Sequence, residues 1–128
     1  MNTGHEGSLT TIHGNSPRDA LDRLGTLAMM AGERLGSEEL ARMVSRTIEI
    51  VIQLRVNART GDRRVASIFE VTGVETGVIT GHELFGLDHG RLVWRGRPPR
   101  CMDKIHAHGI DYTPPVSVTV SQRAKEGK

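Results

Sequence analysis

The feature that most constrains this chain is a run of alternating residues between positions 48 and 56. Every second position there is apolar: Ile48, Ile50, Ile52, Leu54 and Val56. Polar residues lie between them, with Val51 as the exception. A two-residue period is that of a β-strand, because successive side chains point to opposite faces of a sheet. The run therefore predicts a strand with one well-buried face.

The residues that follow predict further antiparallel strands. Segment 57–62 has the composition of a turn, and 63–72 resumes as a strand, so the pair reads as a β-hairpin. Two more turns are predicted at 75–77 and 88–90, with a short return strand at 78–79 and an apolar stretch at 92–94. Pro98 and Pro99 then break the sheet. Helical spacing returns at Met102 and Ile105, with Gly109 as the cap.

Two helices are predicted before the sheet. Ser16 suits an N-cap, Pro17 suits the first helical position, and Asp19 stands where a capping box places an acidic residue. Gly32 is a plausible C-cap for this first helix. A second helix start is predicted at Ser37, where two glutamates follow and favour the positive helix end.

Residues 9–13 are short, apolar and β-branched, which predicts a buried strand ahead of the first helix. The order is then β-α-α, mostly β, and a closing helix, an α/β arrangement. A strand that feeds a helix normally belongs to a parallel sheet with further strands. Such a sheet would need further strands ahead of Leu9, and we expect that this chain lacks them.

Composition excludes several classes of function. The 128 residues include four aromatic residues, which argues against an aromatic platform for single-stranded nucleic acid. One cysteine, Cys101, excludes an internal disulfide and a multi-cysteine zinc site, and an inert helix cysteine is favoured over a nucleophile. The N-terminus is polar and no apolar run is long enough to span a bilayer, so a cytoplasmic setting is the simplest interpretation.

The basic charge is confined to the end of the chain. The net charge is +2, and residues 112–128, with three basic residues and one acidic residue, carry all of it. Residues 1–111 are neutral, with 14 basic and 14 acidic residues. The pI of 9.1 is the one feature that would suggest nucleic-acid binding, so no nucleic-acid partner is expected.

The junction from strand to helix at 9–19 is the best candidate for chemistry. His13 would end the strand and Asn15 would precede the helix, whose free N–H groups and dipole favour anions. The alternative is that His13 is a structural histidine bonded to a neighbouring carbonyl. Residues 4–8 are glycine-rich but do not form a P-loop, since no lysine follows. The spacing of the six histidines predicts no metal site.

Arg63 and Arg64 stand at the head of the second predicted strand. Such a pair is most often a solvated strand end, and the functional alternative is a contact to phosphate or to a neighbouring subunit.

Residues 3–21 read T-G-H-E-G-S-L-T-T-I-H-G-N-S-P-R-D-A-L. This string closely resembles the histidine box of the type II/IV secretion-system ATPases, in the CpaF-like branch that drives Flp pilus assembly. The chain departs from the box at Gly14, where alanine is usual. The resemblance continues through Gly61–Val65 and Glu70–Glu75 and covers roughly residues 1–110.

The resemblance implies that residues 1–111 are the C-terminal portion of a RecA-like domain of a hexameric ATPase, an incomplete domain. Residues 112–128 have no periodic pattern apart from Val116, Val118 and Val120. They predict a flexible basic tail, with one edge strand through those valines as the alternative.

The resemblance places His13 near the γ-phosphate as the catalytic residue, with Thr11 and Asn15 as nucleotide-binding positions. ATP and Mg²⁺ are the cofactors of the full-length family, and its partners are other ATPase subunits and inner-membrane secretion or pilus-assembly proteins. The P-loop and the acidic Walker B strand precede the histidine box in the family and are not in this sequence.

The chain alone is therefore not expected to hold or hydrolyse ATP appreciably. A second hypothesis is a non-catalytic module that associates with a full-length secretion ATPase. An uncovered strand edge and apolar face would also favour low solubility or association.

Overall fold

The computed structural model describes residues 7–32 and 35–113. Two helices come first, then four strands and a short last helix. Their bounds are α1 Pro17–Met30, α2 Ser37–Thr47, β1 Ile50–Val56, β2 Arg63–Glu75, β3 Val78–Asp88, β4 Arg91–Trp94 and α3 Met102–Ala107. No helix in these ranges is both long enough and apolar enough to cross a bilayer.

The four strands form one antiparallel sheet in the order β1-β2-β3-β4. Ile52 lies opposite Ile68, which lies opposite Phe85, and Phe85 pairs with Trp94. The ladders are interrupted by irregularities between Gln53 and Leu54 on β1 and at two points along β2. The described fold is thus a mixed helix and antiparallel sheet.

Helices α1 and α2 pack on one face of this sheet and form the core with it. Leu21 and Val44 from the helices meet Phe69 and Val71 from β2. Four partly buried side chains extend this cluster: Leu24, Ile48, Val51 and Ile79. The core is small and mostly aliphatic, as the low aromatic content predicted.

The predicted burial of β1 is wrong, although the strand itself is confirmed. Ile52, Leu54 and Val56 are 55%, 55% and 61% exposed, whereas Val51 packs against the core. The helices cover the face that carries Val51 and Gln53. The alternation therefore identified the strand correctly, but the face of β1 that is richer in apolar residues is exposed to solvent.

The predicted strand at 9–13 is also wrong. These residues have no regular secondary structure, and Leu9 is 96% exposed. A strand exists only when a neighbouring strand accepts and donates its backbone hydrogen bonds. Among the described residues none pairs with 9–13, so the β-forming composition has no ladder to join.

The predicted turns are confirmed. Two-residue loops close both later hairpins, at Thr76-Gly77 (φ 47° and 77°) and at His89-Gly90 (φ 47° and 77°). Positive φ at both central residues is the geometry that matches the twist of a tight hairpin. β3 runs on to Asp88, so the return strand predicted at 78–79 is much longer than expected.

The helix ends also follow the sequence signals. α1 ends at Met30, and Gly32 follows with φ 90°, as expected for a glycine after a helix. Gly109 does the same after α3, with φ 73°, although Ile110 beyond it is 57% exposed rather than packed. From residue 114 on, the basic tail predicted at 112–128 lies outside the described residues, and so does its alternative strand through Val116, Val118 and Val120.

Candidate functional site

The start of α1 is built by two side chains that cap its backbone. The Ser16 hydroxyl accepts a hydrogen bond from the Asp19 N–H at 3.1 Å, and the Asp19 carboxylate accepts one from the Asn15 N–H at 2.7 Å. These donors are the ones that the sequence suggested for an anion. A carboxylate already occupies this turn, so the helix start is a poorer anion receptor than predicted.

The segment before α1 is held against the edge of the sheet. The Gln53 side-chain amide donates to the Gly14 carbonyl at 3.1 Å. Gly14 also lies close to α1, since a Cβ added there would stand 3.0–3.1 Å from atoms of Ala20. Glycine at this position, where the resemblance predicts alanine, thus lets the segment approach the helix and β1 together.

This packing creates a groove of about 400 Å³ beside the last residues of β1. Seven residues line it: Thr11, Ile12, His13, Leu54, Arg55, Val56 and Arg63. Two of the three predicted site residues, Thr11 and His13, are therefore brought together here, and both are exposed. Asn15 is not among the lining residues, and the contact shown for it is its backbone bond to Asp19.

The groove is basic. Two of its lining residues, Arg55 and Arg63, are cationic, and the described lining contains no aspartate or glutamate. In the β1–β2 register Val56 lies opposite Arg63, and Arg55 lies opposite Arg64. Directly opposed residues share a face, so Arg55 and Arg63 leave opposite faces of the hairpin. Arg64 instead lies 3.8 Å from the Asp62 carboxylate.

Sequence reasoning singled out Arg63 but missed Arg55. Its signal was present, because Arg55 is the only cationic residue within the β1 alternation. A charged residue between apolar ones is ordinarily assigned to the solvent-exposed face of a strand. Only the packing of residues 11–13 against β1 places Arg55 in a groove.

A second groove, of about 640 Å³, is lined by residues of α2, β2 and the start of α3. It carries four basic side chains, from Arg42, Arg46, Arg100 and Lys104, but also the carboxylates of Glu49 and Glu70. Lys104 is ion-paired with Glu49. The second groove thus carries charges of both signs, and some of them are paired with one another within the fold.

Cys101 lines the second groove and stands at the start of α3. Burial raises the pKa of its thiol, and the negative charges of Glu70 and Glu49 raise it further. A thiol with a raised pKa carries less of the reactive thiolate at neutral pH.

A third cavity, of about 420 Å³, lies between the start of α1 and the sheet. Three of its polar side chains are bonded together: the Ser67 hydroxyl donates to Glu83 at 2.7 Å, and Arg95 Nε donates to the same carboxylate at 2.9 Å. This network satisfies a buried serine and reads as structural. Across the part of the chain that the structure describes, no three His, Cys, Asp or Glu side chains group as a metal site would require.

Comparison with known proteins gives the family. The model of the type II/IV secretion system protein family matches residues 1–82. The chain belongs to this family. It is also 31% identical over 72 residues to the conjugal transfer protein TrbB of Rhizobium radiobacter, a match that covers 56% of this chain and 20% of that protein. The aligned region is therefore about a fifth of the relative's length.

Proposed function

We propose that this chain is the C-terminal part of the RecA-like domain of a secretion ATPase, of the branch that drives Flp pilus assembly. The observation that carries the proposal is the placement of His13 and Thr11 in a basic groove within the segment that the family model matches. The assembly is a cytoplasmic hexamer that docks on inner-membrane secretion or pilus-assembly proteins.

In this proposal His13 faces the γ-phosphate of ATP and responds to its hydrolysis, and Thr11 supports it from the same wall of the groove. The guanidinium groups and hydroxyl of the groove suit phosphate oxygens. Asn15 has the weaker case, since its backbone N–H is already bonded to Asp19. Mg²⁺ finds no carboxylate in the described lining, so its ligands, like the P-loop, belong to another part of the ATPase.

The chain alone is then inactive. It contains no G-x-x-x-x-G-K-[ST] string. Phosphoryl transfer depends on positioning and charge neutralisation by P-loop amides, a lysine and Mg²⁺. Residues of this chain supply only the side of the site that lies across from those groups.

Fragment complementation tests the proposal. The full 128-residue chain is mixed with the P-loop-bearing portion of a type II/IV secretion ATPase, and ATP hydrolysis is followed. We expect no activity from either piece alone and measurable activity from the pair. His13→Ala should lower kcat of the pair at least tenfold.

His89→Ala is the matched control, because His89 sits in the β3–β4 turn with its side chain 95% exposed. It should leave the rate unchanged. Hydrolysis by the purified chain alone, or equal rates for His13→Ala and His89→Ala, would contradict the proposed role of His13.

A second candidate, a non-catalytic module that binds a full-length secretion ATPase, is favoured by the state of β1. This strand lies at the edge of the sheet, and its Ile52, Leu54 and Val56 side chains are exposed. An open edge with an apolar face promotes pairing with another chain. Co-purification with a full-length family ATPase tests it. Ile52→Lys should abolish the association, whereas Val78→Lys, equally exposed but at the start of β3, should not.

A further inference from the structure

We propose that the groove lined by α2, β2 and the start of α3 docks an acidic peptide segment of a partner protein, and that Arg46 and Arg100 hold it. The inference goes beyond the proposed function and does not rest on it, because none of Thr11, His13 and Asn15 lines this groove. At about 640 Å³ it is larger than the groove beside β1 and the cavity between α1 and the sheet. Pockets of this size hold drug-sized ligands, so several side chains of a peptide fit.

The two carboxylates that line this groove are already engaged within the fold. Glu70 is 3% exposed and accepts the Arg100 backbone N–H at 2.7 Å. Glu49 is ion-paired with Lys104. These two negative charges are therefore used in holding the segment before α3, and α3 itself, against the sheet.

Two arginines of the groove keep their charge unpaired. Arg42 forms an ion pair with Glu38, whereas Arg46 and Arg100 form none with a carboxylate in the described part of the chain. Arg46 lies in the last turn of α2 and is exposed. The Arg100 guanidinium donates to the Thr72 carbonyl at 2.7 Å, which orients the group without neutralising it. The groove thus offers two guanidinium charges to a ligand.

The orientation of Arg100 depends on an irregularity in β2. Val71 lies opposite Gly81 and Gly73 lies opposite Thr80, so Thr72 has no residue opposite it on β3. Such an extra residue interrupts the ladder and bends the strand locally. The carbonyl of this extra residue is the one that Arg100 bonds, so the bulge positions a cation at the groove.

The remaining lining residues favour a peptide over a small inorganic anion. Val71 and Val74 of β2 line the groove beside the arginines and add apolar surface. A peptide brings apolar side chains together with its carboxylates, and guanidinium groups form paired hydrogen bonds with carboxylates. Arginine is also enriched at protein interfaces, where lysine is depleted. An acidic segment with apolar residues between its charges therefore matches the groove.

Binding of a labelled peptide to the full 128-residue chain tests the inference. The probe is a short peptide rich in glutamate with leucines between, and fluorescence anisotropy measures its dissociation constant. We expect saturable binding that weakens as salt is added. R46Q should weaken it about threefold, the worth of an exposed ion pair, and R46Q with R100Q about tenfold. R23Q removes the same charge from an exposed position of α1 and should leave the affinity unchanged.

Four outcomes overturn the inference. They are no saturable binding, equal losses for R46Q and R23Q, a loss in the tail variant K125Q in place of R46Q, and equal binding of a peptide with glutamine at every glutamate. Inorganic triphosphate is the competitor, and displacement of the peptide at equal concentration would contradict a peptide site. Circular dichroism melts check each fold, and R100K, which keeps the charge, should bind better than R100Q.

Discussion

The carboxylate of Glu70 accepts a hydrogen bond from the Arg100 backbone N–H at 2.7 Å, which joins the segment before α3 to the second strand of the sheet. Glu70 is 3% exposed, and the Arg100 guanidinium returns to the Thr72 carbonyl at 2.7 Å. The second carboxylate oxygen lies 3.3 Å from His82 Nε2 without forming a hydrogen bond within the described residues. Since a buried carboxylate is costly unless bonded, its bond to Arg100 is important for stability.

Glu70→Ala should therefore lower the free energy of unfolding by about 1.5–3 kcal/mol, the usual worth of a hydrogen bond to a charged group. Urea unfolding measures this, and trypsin should cleave faster at Arg95 and Arg100. Glu70→Gln keeps an acceptor for the Arg100 N–H and should lose less. Glu75→Ala, at the exposed end of the same strand, is the control. Equal midpoints for Glu70→Ala and Glu75→Ala would show that the bond carries no stability.

The helices, their caps and the hairpin turns could be predicted because each depends on residues close in sequence. Ser16, Gly32 and Gly77 act through their own backbone neighbours, so their signals survive without knowledge of the rest of the fold. The burial of β1 could not be predicted in the same way. Which face of a strand is covered depends on where the helices pack, and α1 and α2 cover the face of Val51.

The residues of the candidate site fall into the same two groups: those that a local pattern identifies and those that depend on how distant segments pack. His13 and Arg63 were found because each stands at a junction that the local pattern identifies. Arg55 was missed because it lines the groove only once residues 11–13 pack beside β1. Those residues lie more than 40 positions away in the sequence, and the Gln53–Gly14 hydrogen bond holds their segment against the strand. The prediction of a strand at 9–13 was wrong for a related reason. Composition indicates a tendency to form a strand, but it does not show whether a neighbouring strand is there to pair with it.

The capping of α1 gives a prediction with an internal control. The Ser16 hydroxyl accepts the Asp19 N–H, whereas α2 begins after Gly36 and its Ser37 makes no cap bond. Ser16→Ala should cost about 1 kcal/mol of stability, the typical loss of an N-cap side chain. Ser37→Ala should change the unfolding midpoint little. Urea titrations of both variants decide the matter, and a larger loss at Ser37 would reverse the assignment of the caps.

Two glycines should respond to alanine in opposite directions. A Cβ at Gly81 would come within 3.0 Å of the Glu70 carbonyl oxygen and the Phe69 ring, so Gly81→Ala should destabilise by about 1–3 kcal/mol. Gly25 lies inside α1, and an added Cβ meets no atom within 4 Å. Gly25→Ala should stabilise by about 0.5–1 kcal/mol, because alanine favours the helix. Thermal melts measure both. A stabilising Gly81→Ala would contradict the packing described for β2 and β3, and a destabilising Gly25→Ala would contradict the open space beside Gly25 on α1.

Cys101 should be slow to react at neutral and mildly alkaline pH. Burial and the Glu70 charge raise its pKa, and the thiolate is the nucleophile, so at a given pH the folded chain offers less of the reactive form. Alkylation by iodoacetamide should be slower in buffer than in urea, and its pH profile should lie at higher pH in the folded state.

The same raised pKa fixes how stability depends on pH through this group. Below the pKa of the unfolded thiol, both states hold the proton and Cys101 makes no pH-dependent difference. As pH rises from the unfolded pKa towards the folded one, the unfolded state loses its proton first, so stability falls. Glu70→Gln removes the main negative charge while leaving an acceptor for Arg100, and should move the alkylation profile back towards lower pH. An unmoved profile in Glu70→Gln, with the fold intact by circular dichroism, would show that the Glu70 charge does not contribute to the raised pKa.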